Sequence, residues 1–256
     1  MPANACARAV FVQQDNRNHF AMIAPFLRTA TEADRAGLIK AYRAAWVSQR
    51  AHAGVDGLTD LSHVDFNAML PADLDSLKPD EMLRVAALPV DGHEEIAGYC
   101  FGKMLREEDY PGYFEDASKV VEIKRIFTDP NYQRLGLLNT YCRAIVEFGI
   151  SRGATEVYVC TPSKNTFEHE WFYRYGFDIH SQEASICPYQ VGPDTLVDHD
   201  VNMIHFDAAK LLETLQTRIS PRFNKLVDDP AYVGREKSYG VLEYVFRKNN
   251  GLKLNP

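Results

Sequence analysis

A chain of 256 residues, 46% hydrophobic and 25% charged, is long enough to bury a full core and too apolar to be disordered or collagen-like. No run approaches the roughly 18 uncharged apolar residues of a membrane span, and the stretch from 9 to 30 is broken by Gln13, Gln14, Asp15, Arg17 and His19, so a soluble chain without a signal peptide is expected. The net charge of −7 argues against non-specific nucleic-acid binding, although nine basic against five acidic residues from 209 onward make the body before them more acidic than the whole.

Residues 26–28 read as a short strand, and Thr31 with Asp34 can cap the helix whose apolar positions run from Ala36 through Leu38, Ile39, Tyr42 and Trp46. A helical or irregular stretch at about 60–80 precedes two strands, 82–88 and 96–104, joined by the polar turn 89–93. Residues 106–119 look like a surface connection, and 120–128 is a β-branched-rich strand stopped by Asp129-Pro130. Leu137, Leu138, Tyr141, Ala144, Ile145 and Phe148 then recur at helical spacing up to Arg152-Gly153. A strand at 156–160, a short helix at 167–175 and strands near 177–181 and 202–206 complete the order, with Asp198, His199 and Asp200 read as a polar loop. Beyond 207, a helical patch (Leu211, Leu212, Leu215, Ile219) and a strand-like patch at 241–246 form a basic extension.

The strand at 120–128 runs directly into a polar loop containing Gly136, and an amphipathic helix begins at once. Such a joint gathers unpaired main-chain N–H groups where the helix dipole also favours negative charge, so a pyrophosphate would sit well there; the competing reading is a glycine that only lets the chain turn. The G-x-x-x-x-G-K phosphate loop and the G-x-G-x-x-G dinucleotide fingerprint are both absent. Five cysteines without a C-x-x-C pair suit a reducing, cytoplasmic setting. No histidine spacing suggests a metal, and His205 reads as a satisfied strand residue.

Gln133-Arg134-Leu135-Gly136-Leu137-Leu138 resembles the acetyl-coenzyme A signature of the GNAT superfamily, a Gln or Arg, two residues, Gly, one residue, then Gly or Ala. Downstream, Asn165 followed after six residues by Phe172-Tyr173 and then Gly176-Phe177 resembles the family's second conserved neighbourhood. The resemblance covers roughly residues 25–207 and implies an α+β fold, a central mixed sheet with helices on both faces. It further implies that the main chain of Ile126, Phe127 and Thr128 pairs with the pantetheine arm, that residues Gln133 to Leu138 hold the pyrophosphate, and that Asn165 bonds the pantetheine or thioester end. A helix cap is the competing reading of Asn165. Glu122, eleven residues before Gln133, falls where some members place the base that deprotonates the amine; the competing reading pairs it with Lys124 on the same strand face.

Two departures stand out. Leu138 occupies the position of a small residue, and Phe172 stands where many members have a tyrosine that protonates the leaving thiolate, so Tyr173 becomes the substitute acid unless it merely packs in the core. The expected organisation is an N-terminal segment (1–24), an acetyltransferase domain (25–208) and the basic extension (209–256), in a monomer or homodimer. The expected reaction is direct transfer of acetyl from acetyl-CoA to a small-molecule amine, for which the acidic body would suit a cationic acceptor. The alternatives are an inactive acetyl-CoA-binding regulatory module and an acetyltransferase of protein lysines or N-termini. No metal, nucleic acid or membrane enters this expectation.

Overall fold

The computed structural model describes residues 25–52, 65–90, 92–133, 135–162, 166–191 and 194–217, with strand segments at 10–11, 22–23 and 245–248; side chains at 182–191 and 194–200 and in the isolated strand segments lie outside the description. In chain order the elements are β1 (Val10–Phe11), β2 (Met22–Ile23), β3 (Phe26–Thr29), α1 (Arg35–His52), β4 (Glu81–Val90), β5 (His93–Met104), β6 (Val120–Thr128), α2 (Leu137–Ser151), β7 (Glu156–Pro162), α3 (Thr166–Arg174), β8 (Asp178–Val191), β9 (Asp194–His205), α4 (Ala208–Thr217) and β10 (Val245–Lys248).

Strands β3 to β6 form an antiparallel meander, β7 lies parallel to β6, and β9 returns antiparallel to β7. With β8 and β10 also paired to β9 the main sheet has eight strands, and β1 and β2 pair separately. The alternation of side chains along β5 assigns the two faces. Tyr99 and Phe101 pack with Leu38, Tyr42 and Trp46 of α1 and with Phe66, Leu70 and Leu74 of the irregular stretch before β4. Cys100 and Met104 point the other way, into a cluster with Tyr141, Ile145 and Val146 of α2 and Leu211 and Leu215 of α4. The fold is thus α+β, a mixed sheet with helices on both faces.

Helix α1 begins where the sequence places a cap: the Asp34 carboxylate accepts from the main-chain N–H of Thr31 at 2.8 Å, and Arg28 clamps the same carboxylate. That guanidinium is the main reason the Asp34 carboxyl is held below its ordinary range. Three expectations need correction. The connection 106–119 is not merely surface, because Phe114 and Ala117 are buried beside Tyr158 and Ile204. Asp198, His199 and Asp200 lie in β9 rather than in a loop, opposite Ser185, Ala184 and Glu183. The strands read near 177–181 and 202–206 are two ends of one long hairpin, in which β8 pairs with β9 from Asp178 opposite Ile204 to Val191 opposite Asp194, over polar residues that had disguised it as irregular. Helix α4, placed at the start of the extension by sequence, buries Ala208, Leu211 and Leu215 in the principal core. His205 is buried as a strand residue whose Nδ1 accepts from the Asp207 N–H at 3.1 Å.

Candidate functional site

The sheet opens between β6 and β7. The two strands are in register only through Val120, Val121 and Glu122 opposite Glu156, Val157 and Tyr158. Beyond that point β6 stays with β5 while Val159 to Pro162 pair with β9 alone, so the strands part. A bulge lies at the parting: Arg125 is opposite Phe101 and Ile123 opposite Gly102, which leaves Lys124 as the extra residue. A bulge bends its strand and sharpens its twist, which carries residues 123–128 away from β7. The resulting cleft has a volume of about 210 Å³. Ile123, Ile126, Leu138 and Phe172 line it on the α2 side, Tyr42, Trp46, Arg125 and Phe127 on the α1 side.

Glu122 is the last zipped residue and is 3% exposed. Its Oε1 accepts from the Tyr110 hydroxyl and from Lys124 Nζ, each at 3.0 Å. The ion pair set out as the competing reading of Glu122 is therefore present, with an added tyrosine that sequence reasoning missed. Tyr110 arrives from the 106–119 connection, and its spacing with Tyr113 and Phe114 is the signal that would have exposed an inward-facing aromatic group. Burial, reinforced by the neighbouring Glu122 carboxylate, pushes the Tyr110 hydroxyl far above the usual tyrosine range, so it is a fixed hydrogen-bond donor. Behind it the Tyr158 hydroxyl donates to Asn202 Oδ1 at 2.7 Å, and Asn202 Nδ2 donates to Ser181 Oγ at 2.8 Å. This satisfied network stands beside the cleft: Glu122 adjoins the lining residues Ile123 and Lys124 and is not itself among the residues that line it.

At the other end, the Asp129 carboxylate accepts from the Asn131 N–H at 2.9 Å and turns the chain through Pro130–Tyr132. Gly136 adopts the left-handed conformation with φ of 78°, which only glycine takes without strain, and α2 starts at the next residue without a side-chain cap. Its first-turn N–H groups are the unpaired donors that sequence placed there. Gln133 is exposed and Leu135 half-buried. Leu137 is buried in the core, whereas Leu138 is half-buried and lines the cleft. Ile126, Phe127 and Thr128 are half-buried along the parted length of β6. Arg134 and Asn165 lie outside the described residues.

Phe172 of α3 is 2% exposed and reaches the cleft wall. Tyr173 is half-buried, packs against the core cluster from the same helix, and is not among the residues that line the cleft. Cys100 and Cys142 are fully buried in apolar surroundings; burial pushes the Cys100 thiol up to about 12 and raises that of Cys142 well above its ordinary range. Neither is a nucleophile near neutral pH. Among the described residues no group of three or more His, Cys, Asp or Glu is placed to hold a metal ion, and no helix is long and apolar enough to cross a membrane.

Residues 56–177 match the model of the acetyltransferase (GNAT) family. Over that stretch the chain is similar to the GNAT acetyltransferases. The matched span contains β6, the Gly136 turn, α3 and the cleft lining other than Tyr42 and Trp46, and it ends at the Gly176-Phe177 pair. A protein assigned as a phosphinothricin N-acetyltransferase superposes with a TM-score of 0.52 at 12% identity over 72% of this chain and 98% of its own. The ribosomal-protein-alanine N-acetyltransferase of Brucella melitensis does so with a TM-score of 0.50 at 16% identity, over 71% and 99%. A Salmonella typhimurium acetyltransferase solved with its cofactor acetyl-CoA aligns at 0.48 and 16% identity, over 71% and 93%. At these identities the likeness is one of fold. No curated protein matches the chain in sequence.

Proposed function

We propose that the protein is an acetyl-CoA-dependent N-acetyltransferase that passes an acetyl group to a small-molecule amine by direct attack. The observation that carries this reading is the parting of β6 from β7, which leaves a strand edge open along residues 123–128 and leads to the uncapped first turn of α2. An extended amide-bearing arm would satisfy that edge as a further strand would. Its diphosphate would take the N–H groups around Gly136, with Gln133 to Leu138 as the binding loop. This places the thioester near the bulge, where Glu122 stands.

In this reading Glu122 removes a proton from the acceptor ammonium, directly or through one water, and the neutral amine attacks the thioester carbonyl. Outward main-chain N–H groups on the parted half of β6 stabilise the oxyanion. The tetrahedral intermediate collapses with loss of the coenzyme A thiolate, giving the N-acetyl product. That thiolate is a good leaving group, so a proton from water or from Tyr173 assists without being required. Phe172, which brings an apolar ring and no hydroxyl to the cleft, favours a second reading in which the domain binds acetyl-CoA without turnover.

Titration calorimetry with acetyl-CoA, followed by thiol release against a panel of amines, tests both. Saturable binding with acceptor-dependent release is the expected result, and binding with no release across the panel favours the second reading. No binding at about 1 mM acetyl-CoA, the upper end of ordinary KM values, overturns both.

A further inference from the structure

Two cations, Lys124 and Arg125, line the cleft among the described residues. Lys124 is taken by Glu122 at 3.0 Å. Arg125 has no such partner: no carboxylate among the described residues stands within ion-pair distance, and its side chain faces the Tyr42 hydroxyl. A half-buried guanidinium carries five donors in a fixed fork suited to a carboxylate, and leaving it without an anion is unfavourable.

The bulge decides where this group points. In a regular strand residues 122 and 125 would lie on opposite faces. Here Glu122 is opposite Lys103 and Arg125 opposite Phe101, two residues apart on β5, so both side chains emerge on the α1 face about 7 Å apart along the strand. The anion is not the cofactor's diphosphate on this geometry. Arg125 lies three residues, or about 10 Å, before Thr128, and the turn to Gly136 follows beyond that. The arm that would lie alongside is uncharged. Around Arg125 the wall is aromatic: Tyr42 and Phe127 have ring centroids 4.0 Å apart, and Trp46 lines the same side.

We propose that Arg125 anchors a carboxylate on the acyl acceptor, so that the acceptor is an amino-acid-like amine with an apolar or aromatic body. The amine is held toward Glu122, the carboxylate on the Arg125 fork and the body against Tyr42, Trp46 and Phe127. This inference rests on the transferase reading above and narrows its acceptor.

The test uses product analogues, so that its readout does not depend on turnover. N-acetyl-L-phenylalanine and its decarboxylated counterpart, N-acetylphenethylamine, are titrated calorimetrically into the coenzyme A complex of the wild-type protein and of Arg125→Met. Expected are binding of the carboxylate to wild type, a loss of about tenfold or more in Arg125→Met, and no change for the decarboxylated compound, as for one charge-assisted bidentate contact. Arg125→Lys, which keeps the charge and loses the fork, falls between the two. Equal affinity of the carboxylate for wild type and Arg125→Met overturns the proposal, as does failure of the carboxylate to bind wild type. A tenfold loss of coenzyme A affinity in Arg125→Met overturns it too, because Arg125 would then be a cofactor ligand. Carboxylate binding without thiol release from any amino acid would sink the transferase reading and leave the anchor standing.

Discussion

The two halves of β6 are one strand under two regimes. Residues 120–122 are hydrogen-bonded to β5 and β7 on both edges, and with Ile123 they are no more than 4% exposed. Residues 125–128 hold β5 alone and are half-buried. The first half behaves as an ordinary central strand, in which every polar main-chain group is paired. The second leaves an inner edge open, a liability unless something covers it. The comparison teaches that the candidate site is a local failure of sheet pairing, placed by one extra residue, and that Glu122 ends the first regime directly before the bulge that opens the second.

The largest expected effect comes at that junction. Glu122→Gln keeps the shape and the ability to accept from Tyr110 and Lys124 but cannot take a proton. Thiol release should fall by about 100-fold or more while acetyl-CoA affinity stays the same. Undiminished release would reduce Glu122 to a structural ion pair and remove the distinction between the halves as far as chemistry is concerned. Next comes a change confined to the zipped half. A Cβ on Gly149 would lie 2.5 Å from Val121 Cγ1, so Gly149→Ala forces α2 off the strand. Equilibrium urea denaturation should report a loss of about 1–3 kcal/mol, the usual cost of overpacking a core. A neutral result would mean the zipped half tolerates displacement.

Much of this was legible before any coordinates. Residues 120–128, β-branched and closed by Asp129-Pro130, give β6 with its full bounds, and the helix spacing from Leu137 gives α2, because both signals are local and strong. The Gly136 turn and the start of α2 directly after it were legible for the same reason. The face on which Arg125 emerges was not legible. Sequence alternation predicts the side opposite Glu122, and only the two-against-one pairing at Phe101 reverses that. Tyr110 escaped because its value lies in contacts with Tyr158 and Glu122, far apart in sequence, within a stretch whose Gly and Pro suggested surface. Net charge is a weaker guide: an acidic chain suggests a cationic acceptor, whereas the cleft is lined by Lys124 and Arg125 together with Glu168. Bulk charge describes solvated surface and does not report on a recess of a dozen residues.

A smaller effect is expected at Tyr110, which sharpens the role of the junction. Tyr110→Phe removes one donor to the buried carboxylate and should lower thiol release about tenfold, within the range of a hydrogen bond to a charged group. Its pH signature has a definite sign. Because the folded hydroxyl ionises far above 10 while the unfolded one ionises near 10, the unfolded state loses its proton first as pH rises. Wild-type stability should therefore decline as pH climbs beyond about 10, and Tyr110→Phe should decline less steeply when denaturation midpoints are compared over that interval. Equal slopes would mean that the hydroxyl is not held protonated by the fold.

The smallest effect is expected at Leu138, on the open half, and it follows from what the pyrophosphate would touch. If the grip is made by main-chain N–H groups of the Gly136 turn and the first turn of α2, the side chain at 138 contributes shape and not bonds. Leu138→Ala removes part of the cleft lining while leaving those N–H groups and the helix start in place, alanine being the best helix former. Calorimetry should find the acetyl-CoA dissociation constant changed by less than about threefold, under 0.7 kcal/mol. A tightening of tenfold or more would mean that the leucine obstructs the diphosphate and that the departure from a small residue is a real weakening of the site. A loosening of that size would mean the opposite, that Leu138 packs against the bound arm and that this domain has exchanged close main-chain approach for apolar contact. Either result would move the boundary between the two halves of β6, because the open edge would then end at a side chain instead of at a helix terminus.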